Sequence, residues 1–183
     1  MPRKGIQLER WAEENMRGDP TVNSGATFED ADMKVDGVGG RVYEFKSSEE
    51  NHGLSIDRVA ILRLLQRAIK LNRQPVFIYQ NADHLRFAMT PLKIVASAVG
   101  RWDDVNYQSE TVMAVKHAFS HCPSIKAKGN NVRVSAESLA SGIAHNGLMM
   151  YVTKNGIQWV IMEADAWLEI AGDRKIKEKK NDE

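Results

Sequence analysis

A single cysteine, Cys122, is all the thiol chemistry the chain has, so no internal disulfide can staple it. No apolar run approaches the roughly 20 residues a membrane helix needs, and no membrane partner is expected. The N-terminal MPRKGIQLERW lacks the apolar core of a secretory signal, so the cytosol of a bacterial or phage-infected cell is the expected location. The histidines do not group. His117 and His121 stand at i, i+4 spacing beside Cys122, but no further ligands at zinc spacing follow them. A formal net charge of +1 excludes a chain-wide basic field. What is present is ordinary for a globular protein: 183 residues, 43% hydrophobic and 27% charged, enough for one α/β domain with an appendage or for two small domains.

The near-zero average conceals a local imbalance. Between His52 and Pro75 the chain carries Arg58, Arg63, Arg67, Lys70 and Arg73 against one acid, Asp57. Arg63, Arg67 and Lys70 fall within about a quarter of a helix circumference at roughly 100° per residue. That arc is either a phosphate-binding stripe or a solvated face. Arg3 and Lys4 form a short basic arm of the kind that follows a phosphate chain.

The elements read as follows. Residues 5–16 form a helix with Leu8, Trp11 and Met16 among its apolar positions, stopped at Gly18-Asp19-Pro20. Residues 20–31 are a small, polar loop. Residues 32–36 and 41–46 make a hairpin across a glycine-rich turn. Ser55 caps a helix over 56–72 whose apolar stripe is Ile56, Val59, Leu62, Leu65 and Ile69. Strands at 76–79 and 85–89 precede a helix that Thr90 caps and Pro91 begins. Helices at 109–119 and 136–145 follow, the second capped by Ser135 after a strand at 132–134. Lys154-Asn155-Gly156 turns a hairpin between 148–153 and 157–163, and a helix over 164–171 succeeds it. Residues 76–99 and 148–171 thus echo one another as strand, turn, strand, helix. Residues 174–183 are charged, lack apolar anchors and are expected to be disordered.

The chemistry gathers at Asp32, Glu44 and Lys46. A strand has a two-residue period, so Glu44 and Lys46 share a face while Phe45 turns to the core. Asp32, on the neighbouring strand, can share a hard cation with Glu44, either Mg²⁺ or Mn²⁺. Such a cation acidifies a bound water and offsets charge on a phosphorane. Lys46 can orient that water or neutralise the phosphate.

Asn23-Ser24-Gly25-Ala26-Thr27, then Ala31-Asp32, then Tyr43-Glu44-Phe45-Lys46-Ser47-Ser48 resembles the PD-(D/E)xK nuclease superfamily, most closely the archaeal and phage-type Holliday junction resolvases. Lys4-Gly5 and Glu9 match that family's first helix, and the correspondence runs from Lys4 to about residue 99. Ala31 stands where the superfamily's proline would be. Asp30 and Asp36 are rival first acids, but Asp32 fits the loop-to-acid spacing.

The resemblance implies a restriction-endonuclease-like α/β core, a central mixed β-sheet flanked by helices, over residues 1–100. A C-terminal α+β extension of unassigned role, packed on the core or completing it, would span 101–173, and the charged tail 174–183. It implies Asp32 and Glu44 as metal ligands, the Phe45 carbonyl completing the set, and Lys46 as the catalytic lysine. Glu9 is either a further acidic ligand or an exposed helix glutamate. Ser24 is either the serine of a loop approaching the scissile strand or an ordinary loop serine. The function so implied is a homodimeric, structure-selective DNA endonuclease acting on branched or duplex DNA without a nucleotide cofactor. The alternatives are a phage nuclease for other replication, recombination or packaging intermediates, and a non-catalytic DNA-binding protein on a nuclease scaffold.

Overall fold

The run Gln74-Pro-Val-Phe-Ile-Tyr-Gln80 is apolar at consecutive positions, the pattern of a strand covered on both faces. The computed structural model, which describes residues 5–20, 33–35, 40–103, 109–119, 121–122 and 124–175, places it inside a sheet with helices on both sides. In chain order the first elements are α1 (Gly5–Asn15), β1 (Asp19–Pro20), β2 (Met33–Val35), β3 (Arg41–Ser47), β4 (Leu54–Ile56), α2 (Arg58–Lys70), β5 (Gln74–Gln80), β6 (Arg86–Pro91) and α3 (Leu92–Gly100). Then come α4 (Glu110–Ala118), β7 (Ser124–Lys126), β8 (Val132–Val134), α5 (Ala136–Asn146), β9 (Leu148–Val152), β10 (Gln158–Glu163) and α6 (Ala164–Ala171).

Among the described residues eight strands make one sheet in the order β1-β2-β3-β5-β6-β10-β9-β7, and β4 pairs with β8 in a separate two-stranded ribbon. The large sheet is mixed: β3 runs parallel to β5 and β7 to β9, while the other neighbours are antiparallel. The fold is therefore α/β with a mixed sheet flanked by helices. Alternate residues of β5 go to opposite cores. Val76 and Ile78 meet residues of α1, α3, α4 and α6 on one face. Phe77 and Tyr79 meet α2, α5 and the β4–β8 ribbon on the other. Gly53, at the entry to β4, lies so near β8 that a Cβ there would sit 2.1 Å from the Val134 carbonyl oxygen, so no larger residue fits.

Residue 100 is not a break in this architecture. β10 pairs with β6 through five residue pairs, so strands from both sides of that position share one sheet. A buried charged network fixes the same union. The Arg41 guanidinium, on β3, donates 3.0 Å bonds to both carboxylate oxygens of Asp173, just past α6. The Tyr43 hydroxyl donates to the same carboxylate and accepts from Trp167 Nε1 at 3.1 Å. Burial, and next the Asp173 charge, push the Tyr43 phenol well above its usual range. Arg174 bridges back to Met16 and the Lys175 amide bonds the Asn15 carbonyl, so the charged tail begins later than position 174.

Three local expectations are corrected. Asp57, not Ser55, caps α2, because Ser55 and Ile56 belong to β4; the Asp57 carboxylate accepts from the Ala60 amide at 2.8 Å. Pro91, not Thr90, occupies the cap position of α3, and the Thr90 hydroxyl bonds the Pro75 carbonyl across the sheet. Of the apolar stripe assigned to α2, Val59, Leu62 and Ile69 are exposed, at 57%, 39% and 81%; Leu65 packs partly buried on the core and Ile56 belongs to β4, while Ile61, Leu64 and Ala68 are buried.

Leu64→Ala is therefore expected to destabilise the protein by about 2–5 kcal/mol in urea denaturation, and Ile69→Ala by no more than about 0.5 kcal/mol; the reverse ranking would restore the outward stripe to the core. A second test uses pH. Above about pH 10 the unfolded chain releases the Tyr43 proton and the folded chain keeps it, so this group removes about 1.4 kcal/mol of stability per pH unit. Tyr43→Phe, less stable at neutral pH, is expected to lack that increment of alkaline slope.

Candidate functional site

β3 alternates between the two cores. Val42 and Tyr43 are buried on opposite faces, so Glu44 projects toward α2 and Phe45 packs against the α1 side. Lys46 returns to the α2 face, where its Nζ lies 2.8 Å from Glu44 Oε1. The other carboxylate oxygen, Oε2, is 2.6 Å from Nη1 of Arg67 on α2. The Glu44 side chain is 14% exposed, Arg67 8% and Lys46 41%. One carboxylate thus stands between a buried cation behind it and a half-exposed cation at the surface.

Arg67 reaches this place because it lies one turn beyond Leu64 on the buried side of α2. Its assignment to an outward phosphate-binding stripe is corrected accordingly: the guanidinium is committed to Glu44. Arg63 and Lys70 do face solvent. The signal that identifies Arg67 is its spacing from Ile61 and Leu64, but α2 carries two apolar stripes, and the one with the bulkier side chains masks it.

The turn leaving β3 shapes the surface beside Lys46. The Ser48 amide bonds the Gln80 carbonyl, and the Asn51 amide bonds Ser48 Oγ, both at 3.0 Å. Asn81 Nδ2 reaches the His52 carbonyl at 2.7 Å and ties this turn to the one after β5. An open cleft of about 490 Å³ results, bordered by Lys46, Ser47, Ser48, Glu50, Asn51, Ser55 and Tyr79. A smaller cleft of about 220 Å³ lies on the other side of Ser47 and Ser48, with Gln7 of α1 on its wall. A more apolar cleft of about 520 Å³ opens near Gln74 and Pro75 at the opposite end of β5, and among the described residues no acid lines it.

Of the residues expected at the site, Glu44 and Lys46 are together, and Phe45 is between them on the strand. Glu9 is exposed on α1, whose buried residues Leu8, Ala12 and Met16 pack on the sheet face opposite Glu44. Asp32, Ser24, Arg3 and Lys4 lie outside the described residues; β2 begins at Met33, paired with Tyr43. Among the described residues no three His, Cys, Asp or Glu side chains gather as a metal cage. The donors Glu44 and the Phe45 carbonyl offer are hard oxygens, the type that suits Mg²⁺ or Mn²⁺, and a full protein set requires an acid from beyond the described residues.

His117 and His121 stack with ring centroids 5.0 Å apart and have no acid beside them that would complete a metal site among the described residues. Burial raises the Cys122 thiol above its usual range, the opposite of an activated nucleophile. Trp159 and Trp167 are fully buried, as core residues rather than stacking platforms.

The chain matches no family model, no curated protein and no solved structure.

The burial of Arg67 makes a direct prediction. Arg67→Ala leaves Glu44 without its buried partner and is expected to cost about 3 kcal/mol or more. Arg63→Ala, on the exposed face, is expected to stay within about 0.5 kcal/mol. Urea denaturation of both variants measures the difference, and equal small effects would place Arg67 in solvent.

Proposed function

We propose that the protein is a metal-dependent DNA endonuclease on a restriction-endonuclease-like core, hydrolysing phosphodiester bonds, with branched DNA such as a four-way junction as its substrate class. The observation that carries this reading is the Glu44–Lys46 pair on one face of β3, backed by buried Arg67, with Lys46 bordering the 490 Å³ cleft. The order of the sequence motifs from Lys4 to Lys46 supports the same class of chemistry.

Glu44, the Phe45 carbonyl and Asp32 would hold Mg²⁺ or Mn²⁺, which when bound supplies Lewis acidity and an acidified water. The chain's own residues do the rest. Arg67, being buried, fixes the carboxylate's orientation. Lys46 is the more exposed of the two cations and is the one that can leave Glu44 to meet a phosphate oxygen in the cleft. There it neutralises charge that develops as the phosphodiester is attacked. Ser47 and Ser48 offer hydroxyls along the same wall. Paired nicks in opposed strands of a junction require two such centres, hence two chains acting on one substrate.

A synthetic four-way junction and a sequence-matched duplex, each with Mg²⁺ or Mn²⁺, test the proposal. Junction cutting above duplex cutting is expected. Glu44→Gln and Lys46→Ala are each expected to lower the rate by about 10²-fold or more while circular dichroism stays native. Equal cutting of both DNAs would remove the branched-DNA preference, and no cutting by the wild type with either ion would remove the nuclease reading.

A further inference from the structure

The echo between residues 76–99 and 148–171 extends far beyond the order of elements. In the first hairpin Phe77 pairs with Met89, Ile78 with Ala88 and Tyr79 with Phe87. In the second, Met149 pairs with Ile161, Met150 with Val160 and Tyr151 with Trp159, the same register at a constant offset. The turns agree bond for bond. The Asn81 amide bonds the Leu85 carbonyl at 3.0 Å, and Thr153 bonds Ile157 at 3.1 Å. His84 and Gly156, at equivalent positions, both take positive φ, 62° and 83°. The helices that follow start from matching backbone, φ −57° and ψ 141° at Pro91, φ −60° and ψ 140° at Glu163, neither with a side-chain cap.

The correspondence continues upstream. β3 lies parallel to β5, and β7 lies parallel to β9. The Ser48 amide bonds the Gln80 carbonyl as the Ala127 amide bonds that of Val152. The Ala82 amide bonds the Asn51 carbonyl as the Lys154 amide bonds that of Gly129. Asp57 and Ser135 cap α2 and α5 by accepting from the residue three positions on.

The two halves also meet symmetrically. Met89 pairs with Ile161, its own counterpart, at the β6–β10 seam. Ser55 pairs with Arg133, again its own counterpart, in the β4–β8 ribbon. Both self-pairings are what a two-fold axis running through the two seams requires. Over residues 74–100 only Tyr79/Tyr151 and Gly100/Gly172 are identical, which is why the sequence shows so little of this.

We infer that the chain is an internal duplication: residues 41–100 and 124–171 are two copies of one unit about a pseudo-two-fold axis, and the second copy is a built-in, chemically silent partner of the first. The register of β7 with β9 equates Lys46 with Ile125. Two positions before Ile125 the sequence has Pro123, outside the described residues, so neither the carboxylate nor the ammonium recurs. Each chain then offers one charged centre on a two-fold frame. The edge of β6, where a second copy of the first unit would pair, is already filled by β10. The catalytic consequence, one strand cut per chain, rests on the nuclease reading; the duplication does not.

Two arms test this. In the full chain with Cys122→Ser, Ser55→Cys and Arg133→Cys place thiols on directly opposed, exposed positions, within disulfide reach at the roughly 4.5–5.5 Å Cα spacing of antiparallel partners. Oxidation is expected to link them inside one chain, giving a monomer on a non-reducing gel and a single-chain mass in sedimentation of the uncrosslinked protein. A disulfide-linked pair of chains, or no crosslink in the folded protein, would overturn the built-in partner. In the second arm, wild-type protein at limiting concentration is given a cruciform-bearing supercoiled plasmid with Mg²⁺ or Mn²⁺. Nicked circles are expected before linear DNA, and linear product formed first-order in protein would overturn the single centre. No cutting with either ion would remove the nuclease reading and the one-cut clause with it, leaving the crosslink to decide the built-in partner.

Discussion

The pairing of β6 with β10 is the contact on which the rest of the molecule depends. Each of the hairpins β5–β6 and β9–β10 would by itself present an unpaired apolar edge, a template for aggregation. Antiparallel pairing closes both edges at once and makes a single sheet wide enough to need cover on both faces. α3 and α6 each touch both central strands and one another, so neither helix belongs to one side of the seam. The Arg41–Asp173 pair is a consequence of the same union. Its two residues come from distant parts of the chain, and both are almost completely buried, 3% and 1% exposed. Such a pair persists only because each carboxylate oxygen is bonded and the Tyr43 hydroxyl adds a further donor.

That frame sets what Glu44 can do. Glu44 is largely buried on a strand inside the sheet, and Arg67 approaches it from the helix that covers the same face. Arg67 holds one carboxylate oxygen from the buried side, and Lys46 holds the other from the half-exposed side. A third positive charge placed on Glu44 would compete with these two, so the exposed ammonium is the one that must yield. Burial and residue type agree here, since the planar, weakly hydrated guanidinium takes the buried place and the strongly hydrated ammonium the exposed one.

Much of this was legible from sequence wherever the signal was local. Ser135 caps α5, Asn155-Gly156 turns the second hairpin, and α6 spans Ala164–Ala171 as its pattern requires. Period-two alternation placed Glu44 and Lys46 on one face with Phe45 opposed. The misses share a physical cause: the deciding interaction was not local. β4 is only three residues long and its partner lies in β8, so no periodicity announces it. α2 has two apolar stripes, and which one faces inward depends on the sheet beneath. Arg67 followed that error. Asp173 reads as the end of a helix next to a charged tail, and nothing nearby hints at its bond to Arg41. The hairpin echo was visible, but the register that turns it into a two-fold lives in backbone geometry, which side-chain identity did not preserve.

The charged centre of the first half and the silence of the second can be read in one measurement. Mn²⁺ titrated into isotope-labelled protein broadens the amide signals of residues near wherever it binds. Broadening centred on Glu44 to Ser47 and Tyr79, with Ile125, Lys126 and Tyr151 left sharp, is the expected result. Equal broadening at both places, or none localised at either, would contradict a single metal-dependent centre on β3.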